Sequence, residues 1–272
     1  CTSLTQITIP SSVTSIGESC FYECTSLTQV TIPSSVTTIC SKAFYKCSSL
    51  AQISIPLSVT SIGESCFYKC ESLTQISLPS SLTSIGEHCF HECSSLEKIT
   101  FDSTSSIKSI EKSVFYECSS LKQIEIPSSV TAIKDFAFYN CEKLEQMMFP
   151  SCLTLIGNDA FSGCKSIKQI TIPSCVTAIG EGSFYECSKL EQIDFITPSS
   201  VASIGDFAFF GCKSLKQISI PTSVVSIGES SFCGCLLLEK VSIPSSVISI
   251  GYSCFSECPM LKKTSVPSST LN

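Results

Sequence analysis

Apolar residues return along this chain on a fixed schedule of 23 residues. The first unit reads CTSLTQITIPSSVTSIGESCFYE, with inward candidates at Cys1, Leu4, Ile7, Ile9, Val13, Ile16, Cys20 and Phe21. Later units refill those places with apolar or small residues. Cysteine marks the phase at Cys1, Cys24, Cys47, Cys70, Cys93, Cys118, Cys141, Cys164, Cys187, Cys212, Cys235 and Cys258; nine of the eleven intervals are 23 residues and two are 25. The extra residues fall at one place, 102–106 and 196–200. Within a unit, Gln6-Ile7-Thr8-Ile9 alternates with the period of a half-buried strand, and Pro10, which lacks a ladder donor, ends it. Val13–Ile16 predicts a second, shorter extended segment. Gly17 suits a turn, although Cys40, Glu111 and Lys134 fill that position elsewhere. Cys20-Phe21 predicts a single helical or 3₁₀ turn.

Self-similarity at such a period signals a stack. Eight inward side chains worth ~1.5–3 kcal/mol each at best cannot offset an ordering cost of ~1–2 kcal/mol per residue. A lone unit therefore stays unfolded, and stability comes from neighbours. Residues 1–272 read as one domain of eleven repeats and a truncated twelfth, an excerpt from a longer protein. No polar capping repeat is visible, so either the caps lie outside this sequence or the chain associates end to end through its uncapped faces.

Leu4-Thr5-Gln6-Ile7-Thr8-Ile9 matches the L-x-x-L-x-L core of a leucine-rich repeat. The fold class expected is a mainly β leucine-rich-repeat solenoid, a horseshoe or arc with a parallel strand ladder on its concave face. The fuller pattern, L-x-x-I-x-I-P-x-S-V-x-x-I-G-x-x-A/C-F-x-x-C, resembles the BspA-like, or Treponema-type, leucine-rich repeat; clear copies are Leu50–Cys70, Leu73–Cys93 and Leu215–Cys235. The resemblance implies a surface-exposed or secreted protein of bacteria or parasitic protists, active in adhesion to host cells and matrix proteins. The richness in Cys and Ser points to the protist members. The family supplies no catalytic residues. Phe101 and Phe195, before the two insertions, and Glu111 and Lys134, in place of Gly, depart from the pattern.

Charge narrows the function further. A formal net charge of −6 with 15% charged residues lacks the basic surface that nucleic acid requires. No apolar run approaches the ~18 residues of a membrane span, so no membrane insertion is expected in this segment. Catalytic, metal and cofactor sites are not expected either. His88-Cys89-Phe90-His91-Glu92-Cys93 invites a zinc reading, but the repeat points Cys89 and Cys93 inward and leaves His88 and His91 as surface histidines. The twenty cysteines read mainly as buried, reduced thiols, because Cys20, Cys66, Cys89 and Cys254 occupy the place that Ala43, Ala137, Ala160 and Ala208 hold elsewhere. Cys233 and Cys235, with Cys152 and Cys175, are the better candidates for oxidation.

The outward strand columns carry the binding hypothesis. One is Gln6, Gln29, Gln52, Gln75, Gln123, Gln146, Gln169, Gln192 and Gln217, completed by Lys98, Lys240 and Lys263. The next includes Glu125, Met148, Thr171, Asp194, Ser219 and Ser265. Twelve strands ~4.8 Å apart would give a polar face on the order of 50 Å long. It is either a hydrogen-bonded ladder that stabilises the stack or a contact surface for protein or glycan. A third column alternates Glu97, Lys122, Glu145, Lys168, Glu191, Lys216, Glu239 and Lys262, which suits register control. Met148, Phe149, Asp194, Phe195 and Ile196 break the monotony and mark the expected hot spot. Tyr22, Tyr45, Tyr68, Tyr116, Tyr139 and Tyr185 form an aromatic column, read as stacking or as an exposed strip for a partner. An intracellular interaction scaffold and a spacer projecting another domain are the other functions compatible with the fold.

Overall fold

The computed structural model describes residues 1–262 and is a parallel β-solenoid of about eleven turns. Lys263 and Ser265 lie outside the described residues. Each turn carries two strands. The longer one runs from the glutamine column, as in Gln6–Thr8, Gln75–Leu78 and Gln169–Ile172; the shorter is a two-residue bridge such as Ser15–Ile16 or Ser226–Ile227. Pairing is parallel and in register, column on column: Gln6 faces Gln29, Ile7 faces Val30 and Thr8 faces Thr31.

The inward columns make one continuous core. Phe44, Phe67, Phe90, Phe115, Phe138, Phe161, Phe184, Phe209 and Phe232 are fully buried and stack face to face, with centroids 5.1 Å apart between Phe138 and Phe161 and 5.4 Å between Phe161 and Phe184.

The third side of each turn is not helical, contrary to the expectation at Cys20-Phe21. Isolated i→i+3 bonds do form, Tyr22 N–H to the Ser19 carbonyl at 3.1 Å and Cys24 N–H to that of Phe21 at 3.2 Å. However, Ser19 and Glu23 both sit in the left-handed region, at φ 54° and 52°, and the same two positions repeat in every turn. A left-handed residue every fourth position stops a helix from propagating. It also turns alternate N–H groups toward the next coil, so that Phe21 and Glu23 donate to Ala43 and Tyr45, each at 2.8 Å. Inter-coil bonds thus replace helical ones.

Small polar residues join the coils too. Ser35, Ser58 and Ser81 each donate to a carbonyl of the preceding turn at 2.6 Å. The core cysteines do likewise: Cys93 Sγ donates to the Phe67 carbonyl and Cys141 Sγ to that of Phe115, both at 3.1 Å. The same carbonyls also accept the N–H of the cysteine in their own turn, Cys70 on Phe67 at 3.1 Å and Cys118 on Phe115 at 3.2 Å, so each thiol adds a second, inter-coil bond at a place that needs a small, mostly apolar residue. The glycine column has a reason other than a turn. A Cβ on Gly180 would stand 2.7 Å from both C and O of Gly157, whereas one on Gly17, in the first of the described coils, would meet nothing within 4 Å.

Neither ladder is continuous. The long strands form a seven-stranded sheet ending at Gln146–Met148, then two two-stranded sheets, one of Gln169–Ile172 with Gln192–Phe195 and one of Gln217–Ser219 with Lys240–Ser242. The short strands break once, between Ser84–Ile85 and Ser109–Ile110, beside the first insertion.

Candidate functional site

The strand face presents the expected columns outward. Gln123 lies opposite Gln146 and Glu125 opposite Met148. Gln169 lies opposite Gln192 and Thr171 opposite Asp194, while Gln217 and Ser219 face Lys240 and Ser242. All are exposed except Asp194, which is half-buried. The sequence did not reveal that Gln146 and Gln169 stand on opposite sides of a ladder break, nor that Gln192 and Gln217 flank another.

Across the first break a shallow cleft of about 350 Å³ is lined by Glu145, Gln146, Met148, Lys168, Gln169 and Thr171, and a second of about 540 Å³ lies over the unbroken ladder along Gln29, Gln52 and Gln75. Met148 is 79% exposed in the first. Its neighbour Phe149 turns inward and meets Phe161 edge-on at 5.4 Å, and Phe195 also packs against the core. Of the expected hot spot, Met148, Asp194 and Ile196 therefore remain partly or fully accessible.

Among the described residues, the glutamine amides bond to another side chain at one place only. Gln169 and Gln192 both donate to Asp194, at 3.1 and 2.7 Å. The rest of the column is in register without being a side-chain ladder. The charged column pairs at Lys122–Glu97, 2.8 Å, and Lys216–Glu191, 3.3 Å. The second of these spans the other break in the ladder. Glu145 and Lys168, on either side of the cleft, form no ion pair among the described residues.

The remaining candidates are dispersed. All twenty cysteines are free. Burial pushes the Cys93 and Cys187 thiols up to about 12, the backbone bonds only partly opposing it. Cys233 and Cys235 are buried rather than available for oxidation, while Cys20, in the first of the described coils, is exposed. Cys152 is half-buried and Cys175 exposed. The histidines are not simple surface residues: His91 takes a place in the tyrosine column, stacked between Tyr68 and Tyr116 at 4.6 and 4.4 Å. Desolvation lowers its pKa to about 4 against the opposing pull of Glu92, whose Oε1 lies 3.4 Å from Nδ1. Among the described residues no group of three or more His, Cys, Asp or Glu side chains is placed to hold a metal ion, and no helix is long and apolar enough to cross a membrane.

Stacked parallel coils built on an L-x-x-I-x-I strand, with Val, Met or Phe at some of its inward places, define a leucine-rich-repeat protein. The BspA type leucine rich repeat region matches six times, over residues 1–109, 108–198 and 193–272, and the chain belongs to that family. A leucine-rich repeat protein from Bacteroides ovatus is 32% identical, with a TM-score of 0.65 over 96% of this chain and 78% of that one. A leucine rich cell surface protein from Faecalibacterium prausnitzii is also 32% identical, with a TM-score of 0.59 over 95% of this chain and 78% of that one. The pneumococcal vaccine antigen PcpA, 23% identical with a TM-score of 0.56 over 95% of this chain and 76% of that one, shares the fold. Among curated protein sequences, none matches this one.

Proposed function

We propose that this chain is a non-enzymatic recognition module of a surface-exposed or secreted protein, which adheres to a host-cell or matrix protein through its strand face. The observation that carries this reading is the state of the glutamine column. Its amides are exposed, in register and, outside the Asp194 cluster, not spent on one another. Such a row offers donors and acceptors at ~4.8 Å spacing with no side-chain hydrogen bonds to break first. The cleft beside Met148 adds what a purely polar face lacks, an exposed flexible apolar side chain of the kind that adapts to a partner. Glu145 and Lys168, unpaired at the same place, supply charge of both signs. The Faecalibacterium relative, described as a cell surface protein, supports the location.

The test is binding of the purified chain to epithelial cells and matrix proteins, beside a variant with Gln123, Gln146, Gln169 and Gln192 changed to Arg. Binding by the parent alone, with both proteins equally folded, supports the strand face as the adhesive surface. Equal binding by both moves the surface elsewhere. No binding by either leaves the scaffold or spacer function.

A further inference from the structure

The tyrosine column is interrupted, and the interruption has the shape of a binding slot. Tyr22, Tyr45, Tyr68, His91, Tyr116 and Tyr139 form one run of stacked rings, ending with Tyr116 and Tyr139 at 4.7 Å and 8°. A second run begins at Tyr185, which stacks on Phe210 at 4.9 Å and 5°. Between them the column position is Ser162, buried and too small to reach outward. Tyr139 and Tyr185 therefore face each other two coils apart, roughly 9–10 Å by the strand spacing. A flat group placed midway would sit ~4.7 Å from each ring, the separation that offset stacking prefers. The gap has room for the one ring that Ser162 does not supply.

The adjoining column closes the ends of this gap. Phe136 and Phe207 meet Tyr139 and Phe210 edge-on, at 5.9 and 6.1 Å. Both sit at positive φ, 57° and 55°, where a bulky side chain is uncommon. Between them the same column holds Asp159 and Gly182. A side chain on Gly182 would collide with the carboxylate of Asp159, so the glycine makes room for that charge in the slot. Tyr139, Tyr185, Phe136, Phe207, Asp159 and Ser162 line an open cleft of about 410 Å³.

The field in the slot is negative. Glu181 also lines it, and burial, with Glu181 and Asp135 nearby, raises the Asp159 carboxyl above its ordinary range while Ser162 opposes the rise by hydrogen bonding. Lys165 is held by Glu142 at 2.7 Å. Two walls that reward a flat π-system and a carboxylate that rewards a positive charge select one protein side chain. Guanidinium is planar, always charged and stacks on aromatic faces, whereas ammonium is compact and strongly hydrated.

We infer that the slot between Tyr139 and Tyr185 over Ser162 binds an arginine guanidinium presented by a partner protein. It lies outside the strand face and stands or falls independently of the adhesive reading above.

The experiment titrates the full chain with N-acetyl-arginine amide, following the tyrosine ring resonances and the ligand by NMR. N-acetyl-lysine amide keeps the charge without the plane, and N-acetyl-citrulline amide keeps the plane without the charge. The arginine compound should saturate with Kd on the order of millimolar and bind at least about tenfold tighter than either control. Ser162→Tyr should complete the column, keep or raise the melting temperature and abolish saturation. Asp159→Asn should weaken binding about tenfold with the fold intact. Undiminished arginine binding by a folded Ser162→Tyr variant, equal affinity for the lysine compound, or no saturation by the parent would each overturn the assignment. Should Ser162→Tyr fail to fold, Asp159→Asn with the citrulline control decides alone: equal arginine affinity in parent and variant overturns it. Changing the four strand-face glutamines should leave the titration unaltered.

Discussion

Gln169 reaches toward the neighbouring strand and donates its side-chain amide to the carboxylate of Asp194 across 3.1 Å. Gln192 donates to the same carboxylate from within its own strand, so one acidic side chain fixes two amides that the rest of the column leaves free. Exposed hydrogen bonds of this kind contribute little to stability. Asp194→Ala should change stability by no more than about 0.5 kcal/mol and the melting temperature by roughly 1–2 °C. A drop several times larger in a thermal melt would show that this cluster holds the coils together and would weaken the case for an available face.

The phenylalanine stack is a different matter. Phe161 is fully buried, stacked on Phe138 and Phe184 and touched edge-on by Phe149. Phe161→Ala should cost about 3–5 kcal/mol, seen as an early loss of structure in denaturant titration. Because coils support only their neighbours, hydrogen exchange should rise first in the coils around residue 161 and later at the ends.

Much of this was legible in the sequence. The alternation in Gln6–Ile9, the Pro10 stop and the Phe and Cys columns follow directly from a repeat that must bury the same face each time. What escaped was set by contacts between coils rather than within one. Nothing in Gly180 by itself says that Gly157 approaches it from the preceding turn, and nothing in Cys93 says that its thiol meets the Phe67 carbonyl. The break between Gln146–Met148 and Gln169–Ile172 left only a faint trace in the departure to Met147, Met148 and Phe149. The tyrosine column is also broken at His91, Phe210 and Cys233, and only the stacking shows that Ser162 leaves a gap between two rings, because His91 and Phe210 supply rings of their own.

Glycine supplies a paired test. Gly180→Ala brings a methyl group to 2.7 Å from two backbone atoms of Gly157, and rigid backbone cannot yield at low cost. It should lose at least about 2 kcal/mol. Gly17→Ala meets nothing within 4 Å and should be neutral. Equal effects of the two in denaturant melts would refute close approach of neighbouring coils as the reason for glycine.

His91 makes stability depend on acidity. Its pKa is lowered to about 4 from about 6.5 in the unfolded chain, so between those values the unfolded state binds more protons. The contribution is complete above pH ~6.5 and is lost progressively as pH falls toward 4, on the order of 2 kcal/mol once solvent contact is allowed for. His91→Tyr restores the column's usual ring and should remove this part of the acid limb. Melting curves of parent and variant that run parallel from pH 7 to 4 would contradict it.

Thiol reactivity should sort by place in the coil. With thiols pushed up to about 12, Cys93 and Cys187 hold on the order of 10⁻⁵ of their population as thiolate near neutral pH. Exposed Cys175 should take up iodoacetamide within minutes while those two stay unmodified until the chain is denatured. Peptide mass spectrometry after timed quenching reads the order. Early modification of Cys93 would mean the coils part far more readily than the packing allows.

The staggered breaks bear on how the coils stay joined. Where the long strands part, after Gln146–Met148 and again after Gln192–Phe195, the short strands remain joined through Ile156–Ile179 and Ile204–Ile227. Where the short strands part, the long ones remain joined through Gln75–Leu78 and Lys98–Phe101. Bricks laid with offset joints behave in this way. Among the described residues no cross-section interrupts both ladders, so backbone pairing on one side of the coil spans every joint on the other.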